Sequence, residues 1–492
     1  MADMQWVAAT FATAPRALRF FVIAALGVAT GLGQAPIDAW YLSVPALAVL
    51  VWLYPRQNGR FWLGWAFGFG YFSFSLRWII EPFLVDAARD GWMAPFALVL
   101  MAAGAAIFWG LAGWLARGRS WRLAVLLLLA EVARSLIFTG FPWGLLGHIW
   151  IETPIAQLAA IGGPHLLTGV TLGLALAIAT RPIWAGAGIA AFTIGWFSLV
   201  PGPAPDPVPD APMVRLIQPN VPQNEKWDPI LGLAHFDRML AFTSAGDARP
   251  DLIVWPETAV TSLYEFAQPS FDLMAEAAQG APLISGVQRR ARESIYHNSM
   301  IVVDRGGEIS GVYDKQHLVP FGEFFPGGEL AARFGLYGFA SSQGYGFSPG
   351  QGPDALQING IGLARPLICY EGIFAEEIAP KGPRPRLMIM ITNDAWFGKD
   401  AGPTQHLAQA RLRAIEQGLP MVRVANTGIS AMIDARGRVT GRIELGETAY
   451  LDLPLPPQLP ITLFGRFGDW PLLALLAALC LLVLLSIRRE FR

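Results

Sequence analysis

Long stretches without a single Asp, Glu, Lys or Arg lie at both ends of this chain, and they decide what it can fold into. Residues 20–37, 39–54, 61–76, 92–116, 153–180, 182–200 and 470–487 are free of these side chains. Most of the windows come close to the roughly 20 apolar residues that a bilayer-crossing helix requires. Residues 123–141 form a weaker eighth candidate, interrupted by Glu131 and Arg134. Three residues apart on one helix face, those two can pair inside a bundle, which softens the cost of burying them. A helical membrane bundle of about seven spans is therefore expected over residues 1–200, with a last span and a basic tail over 466–492. No cleavable signal peptide is expected, because Met1–Ala17 carries only Arg16 as a basic residue and the apolar run after it leads straight into a second.

The connections between the windows set an orientation. Arg16 and Arg19 precede the first, Arg56 and Arg60 lie between the second and third, and Arg117, Arg119 and Arg122 follow the fourth. Arg181 precedes the seventh, and Arg488, Arg489 and Arg492 close the chain. The intervening connections 81–90 and 142–152 are acidic or nearly uncharged. Basic residues mark the cytoplasmic side, so both termini are expected there and the long segment 201–465 on the other side of the membrane.

That segment has a different character. The chain as a whole is 53% hydrophobic and 15% charged, yet residues 201–465 carry an ordinary mixture of Asp, Glu, Arg and Lys. A Pro-rich run, Pro201 to Asp210, ends the bundle and opens a water-soluble domain. Short β-branched runs then read as strands at 214–218, 251–255, 282–287, 300–304, 365–369, 387–392 and 421–425, and helical patterns at 230–245, 270–279 and 404–418. Asp304-Arg-Gly-Gly-Glu and Asp434-Ala-Arg-Gly-Arg read as hairpin turns. The expectation is an α+β membrane protein: a multi-span α-helical bundle joined to an α/β/β/α sandwich.

Three polar residues stand at or just after strand-like runs: Glu257, Lys315 and Cys369. A thiol where a buried strand opens into a turn is held with its sulfur projecting, as a nucleophile must be. Carboxylate, ammonium and thiol are what acyl transfer through a thioester asks for: a base, a cation for the oxyanion, and a nucleophile. Cys480 lies inside the last window, so no disulfide with Cys369 is expected. The six histidines show no metal-ligand spacing, and His297, His317 and His406 read as hydrogen-bonding residues. No metal or cofactor is expected. Net charge of −1 and the absence of a phosphate-binding loop give no reason to expect nucleic acid.

Trp255-Pro-Glu-Thr, Tyr313-Asp-Lys-Gln-His-Leu-Val-Pro-Phe-Gly-Glu323 and Ile368-Cys-Tyr-Glu-Gly resemble the three catalytic motifs of the nitrilase, or carbon-nitrogen hydrolase, superfamily. With several spans before that domain and one after it, the chain resembles the apolipoprotein N-acyltransferase family of bacterial inner membranes. The resemblance implies a nitrilase-like sandwich and a Glu257-Lys315-Cys369 triad. It also implies supporting or substrate-binding roles for Trp227, Glu323, Tyr370 and Glu371. The implied reaction moves an acyl chain from a phospholipid, phosphatidylethanolamine in particular, through a Cys369 thioester to the α-amino group of a diacylglyceryl-modified cysteine at the N-terminus of an apolipoprotein. It places the catalytic domain on the periplasmic side. Residues 324–350, rich in Gly and aromatic residues, read as a lid dipping into the membrane interface, and Phe141-Pro-Trp143 as an opposing aromatic wall. The alternatives are a membrane-tethered amidase or lipid hydrolase using water, and a non-catalytic lipoprotein carrier.

Overall fold

Apolar, charge-free sequence makes the first half of the chain helical. The computed structural model describes residues 10–180 except 59, and residues 202–491 except 203, 293–294, 325–345, 353 and 380–381. The helices are α1 (Arg16–Gly31), α2 (Trp40–Leu53), α3 (Arg60–Ser75), α4 (Ala94–Leu115), α5 (Ser120–Leu136) and α6 (Ala159–Thr180). Every expected window up to residue 180 falls on one of them. The expected span 182–200 and most of the expected lid, 325–345, lie outside the described residues.

Length separates these helices. Among the described residues, Ala87–Leu115, Pro154–Thr180 and Trp470–Arg489 are long and apolar enough to cross a membrane. The 14-residue α2 rises only about 21 Å at 1.5 Å per residue, short of the roughly 30 Å hydrocarbon core. Large apolar side chains face outward, among them Phe96, Leu100 and Trp114 on α4. A helix with apolar residues on its outer face is at home in lipid. α6 is broken at Gly162 and Gly163, just before Pro164.

Where helices meet, small residues let their backbones touch. A Cβ on Gly64 of α3 would stand 2.3 Å from the main-chain oxygen of Trp109 on α4, so only glycine fits there. A buried ion pair lies inside this unit. Glu131 and Arg134 on α5 form an ion pair at 3.1 Å, both almost fully buried. Trp109 Nε1 donates to Glu131 at 2.8 Å, and Arg134 donates to the carbonyl of Trp143 at 2.8 Å. The pair thus staples the 141–146 connection to α5.

Trp143 corrects the expectation of an aromatic wall. It is fully buried, with its ring centroid 4.4 Å from that of Trp78, and its indole N–H donates to Gln405 at 2.7 Å. Residues 400–408 belong to this same helical unit, and His406 stacks on Trp143. The side chain fills a core instead of lining a surface.

The second unit comprises residues 203–399 and 409–461. Its strands are β1 (Met213–Gln218), β2 (Leu252–Val254), β3 (Val260–Leu263), β4 (Leu283–Arg292), β5 (Ile295–Val303), β6 (Ile309–Asp314), β7 (Leu356–Ile358), β8 (Gly362–Ile368), β9 (Leu387–Thr392), β10 (Met421–Ala425), β11 (Ser430–Ile433), β12 (Val439–Ile443) and β13 (Ala449–Pro454). One sheet runs β13-β1-β2-β4-β5-β6, with β3 beside β4, and the other β12-β11-β10-β9-β8-β7. Both are mixed: β1, β2 and β4 are parallel, as are β8, β9 and β10, and hairpins complete the edges. Helices α7 (Pro229–Ser244) and α8 (Gln268–Ala278) send Met239, Phe271 and Met274 into a core with Ile253, Trp255, Leu283 and Ile301 of the first sheet. Helix α9 (Gly402–Gln417) precedes β10. Both expected hairpin turns are present, with Gly306 and Gly437 at positive φ between β5 and β6 and between β11 and β12. The last helix, α10 (Trp470–Arg489), carries Cys480 and belongs to the helical unit. The fold is an α+β membrane protein with a helical bundle and a nitrilase-like sandwich.

Because the Glu131–Arg134 pair is buried, removing one partner strands the other. Glu131→Ala is expected to cost about 3–5 kcal/mol and to lower the unfolding temperature in detergent by several degrees. A melting curve that overlays the parent's would show that the pair does not hold the bundle.

Candidate active site

Strand β8 delivers Cys369. Its last residues, 364–368, are all buried between β7 and β9, so the strand end is fixed before the chain turns. Cys369 then takes φ +51°, a left-handed conformation that is strained for a residue with a Cβ. The turn Cys369–Ile373 holds that conformation through Glu371, whose Oε2 accepts from the Ile368 N–H at 2.7 Å. The other oxygen of Glu371 accepts from Tyr313 Oη and the Gln316 N–H, each at 2.7 Å, and from the His317 N–H at 3.3 Å. One buried carboxylate therefore locks the cysteine turn to the segment that carries Lys315.

Lys315 is placed by β6. Its N–H donates to the Asn298 carbonyl of β5 at 2.8 Å, and its side chain is 1% exposed. Nζ lies 2.9 Å from Glu323 and 3.8 Å from Glu257 Oε1. Glu257 follows β2 through Trp255, whose indole N–H donates to Thr243 of α7 at 2.9 Å. β4 can pass this turn because residue 286 is glycine. A Cβ there would stand 2.2 Å from the Thr258 nitrogen and 2.7 Å from the Glu257 Cα. Asn298 joins the carboxylates, its Nδ2 donating to Glu257 at 2.7 Å and to Glu323 at 3.0 Å.

Electrostatics follow from burial. Desolvation pushes the Cys369 thiol well above its ordinary range, the nearby Glu257 charge adds to this, and the Lys315 ammonium opposes it. This environment favours the thiol over the thiolate. Burial works against the charge of Lys315, but Glu323 and then Glu257 outweigh it and hold the ammonium well above the usual lysine value. Desolvation also raises the Glu371 carboxyl, against the hydrogen bond from Ile368 and its other donors.

Glu257, Lys315, Glu323 and Cys369 come together, and all are buried. Glu371 lies behind them, and Tyr370 packs edge-on against Phe374 at 5.1 Å and His317 at 5.6 Å. Trp227 is 43% exposed, outside the buried cluster. His297 pairs with the Ser348 carbonyl at 2.8 Å and His317 with Glu377 at 2.8 Å. Two residues escaped the sequence reading. Asn298 sits in β5 between His297 and Ser299, so no break in an apolar run sets it apart. Lys226 is buried, and its Nζ donates to the Glu257 carbonyl at 3.1 Å. A signal for it existed: Lys226, Lys315, Lys381 and Lys399 are the only lysines among 36 basic residues, so each lysine marks a place where arginine was not used.

Residues 26–177 match the family model of the apolipoprotein N-acyltransferase N-terminal domain, and residues 214–456 that of carbon-nitrogen hydrolase. A Brucella melitensis protein named apolipoprotein N-acyltransferase is 36% identical over 96% of this chain and 97% of its own length. One of the same name from Rhodopseudomonas palustris is 36% identical over 95% of each chain. A third, from Sinorhizobium medicae, is 35% identical over 90% of this chain and 91% of its own. The thiol, carboxylates and ammonium described above lie within the hydrolase-like half of an alignment that runs nearly end to end, and the chain belongs to the apolipoprotein N-acyltransferase family.

Proposed function

We propose that this membrane enzyme N-acylates apolipoproteins, taking the acyl chain from a phospholipid, phosphatidylethanolamine in particular, and passing it through a thioester on Cys369. The observation that carries the reading is the buried Lys315 ammonium between two carboxylates beside a thiol on a strained turn. Glu257 takes the thiol proton, and the thiolate attacks the ester carbonyl. Lys315 and the Tyr370 main-chain N–H hold the tetrahedral oxyanion. The C–O bond breaks, Glu257 returns the proton to the glycerol oxygen, and lysophospholipid leaves the acyl-Cys369 thioester behind.

The second half runs the same steps toward an amine. An α-amino group with a pKa of about 7.7–8.0 is partly neutral near pH 7, so it can attack the thioester. Glu257 takes the amine proton as the C–S bond breaks, and the proton then returns to the sulfur. Glu323 positions Lys315, Glu371 positions the cysteine turn and the lysine segment together, and Trp227 and Tyr370 contact substrate. A membrane enzyme suits this donor, because each acyl CH2 contributes about 0.8 kcal/mol to membrane attachment and a whole phospholipid does not leave the bilayer readily.

In this reading the enzyme lies in the bacterial inner membrane with both termini cytoplasmic. Within the helical unit, Arg119 and Arg122 reach Glu490 at 3.1 and 2.9 Å, and Gly118 N–H donates to Tyr54 Oη at 3.1 Å. The basic connections 54–60 and 116–122 therefore share one end of the bundle with the basic C-terminus, as a cytoplasmic face requires. Residues 201–465, with the reacting groups, are then periplasmic.

With phospholipid in micelles, the protein is expected to gain hydroxylamine-labile acyl mass, and Cys369→Ala to gain none. Lys315→Met should slow adduct formation by about 10²- to 10³-fold, as loss of an oxyanion donor does. Adduct on Cys480, or an unchanged rate in Lys315→Met, would refute these roles. In a Cys480→Ser background, Pro205→Cys should react with an impermeant thiol reagent in intact spheroplasts and Arg119→Cys should not. The opposite labelling would reverse the orientation.

A further inference from the structure

The roles assigned above leave one buried charge at the site unused. Lys226 is 6% exposed and lies in the connection between β1 and α7. That connection is fastened to the ends of the second sheet. Asn426, just after β10, accepts from the Val221 N–H at 3.0 Å and donates back to the Val221 carbonyl at 2.9 Å. Asn393, just after β9, donates to Gln223 at 2.8 Å. From this anchorage Lys226 Nζ reaches across to the main-chain oxygen of Glu257, at 3.1 Å, at the end of a strand in the first sheet.

Charge balance makes the contact more than packing. Glu257 and Glu323 share a single ammonium, that of Lys315. Two buried carboxylates facing one cation leave a negative excess, which a low-dielectric interior tolerates poorly. The neighbouring charges are committed elsewhere. Asp394 is paired with Arg423 at 2.6 Å, both fully buried. Glu371 is met by Tyr313 and three main-chain N–H groups. On α7, Arg238 donates to the Pro219 carbonyl and His235 lies 3.4 Å from Glu225.

We infer that Lys226 is a positioning residue of the acyl-transfer site: the second cation, which offsets the Glu257–Glu323 pair and fixes the main chain of the base. This rests on the reading of Cys369 as nucleophile. Burial lowers Lys226 to about 8, while the charges of Glu257 and Cys369 act to keep it protonated. Below about pH 8 the ammonium therefore gains a partner when the thiol ionises. Its removal disfavours the thiolate, and the Cys369 thiol then ionises at higher pH.

The test uses the full chain in detergent with Cys480→Ser, and reads alkylation of Cys369 by iodoacetamide against pH by intact mass. Lys226→Gln keeps a donor for the Glu257 carbonyl but removes the charge, Lys226→Met keeps the apolar stem, and Lys226→Arg keeps the charge. Below about pH 8, where the parent's Lys226 carries its charge, the alkylation limb is expected to lie about one pH unit higher in the Gln and Met variants, a tenfold loss of rate at fixed pH, and to return most of the way in Lys226→Arg. Acyl-enzyme formation with phosphatidylethanolamine micelles should fall about tenfold in parallel. A limb unmoved in Lys226→Gln and Lys226→Met, or moved equally in Lys226→Arg, would overturn the assignment. If the parent itself forms no acyl adduct, the nucleophile reading fails, and the lipid-free alkylation limb still decides the role of Lys226.

Discussion

The site depends on the buried ammonium of Lys315. Lys315 is 1% exposed, and a charge so far from water persists only with partners close at hand. Glu323, eight residues further along, lies at 2.9 Å, and Glu257, delivered by a segment distant in sequence, at 3.8 Å. The sandwich makes that possible. Glu257 and Lys315 follow strands of one sheet, and Cys369 follows a strand of the other. The hydrogen bonds of Glu371 then tie the cysteine turn to the lysine segment.

In the proposed reaction, burial also explains why the nucleophile needs help. Desolvation disfavours the Cys369 thiolate, so in that reaction the sulfur attacks only when a base and a cation share the work. The strained φ at Cys369 is retained because the end of the preceding strand is buried and the following carboxylate accepts the Ile368 N–H. Glycine at 286 serves the same end from the other sheet, allowing β4 to pass the turn that carries Glu257.

Much of this was legible in the sequence because it is local. Charge-free windows became helices, β-branched runs became strands, and residues at strand ends come together in the candidate site. What escaped reading is set by distant pairing. β13 contains Asp452 and ends at Pro454, poor credentials for a strand, yet it forms by pairing with β1 from far along the chain, with Arg215 bound to Asp452 at 2.7 Å. Asn298 and Lys226 looked like ordinary polar residues until strands and loops brought them to Glu257. Trp143 misled in the other direction: an aromatic residue in a connection suggested a surface, but Trp78 and Gln405 enclose it.

The central claim is that the Cys369 thioester waits for an amine and does not simply hydrolyse. It is tested most directly by loading the protein with phosphatidylethanolamine, removing excess lipid, and following the acyl mass on Cys369 over time. The account predicts a long-lived adduct that discharges rapidly onto a diacylated lipopeptide with a free α-amino group and stays loaded with its N-acetylated counterpart. Release of free fatty acid at one rate, with or without the amine, would contradict it and identify a lipid hydrolase.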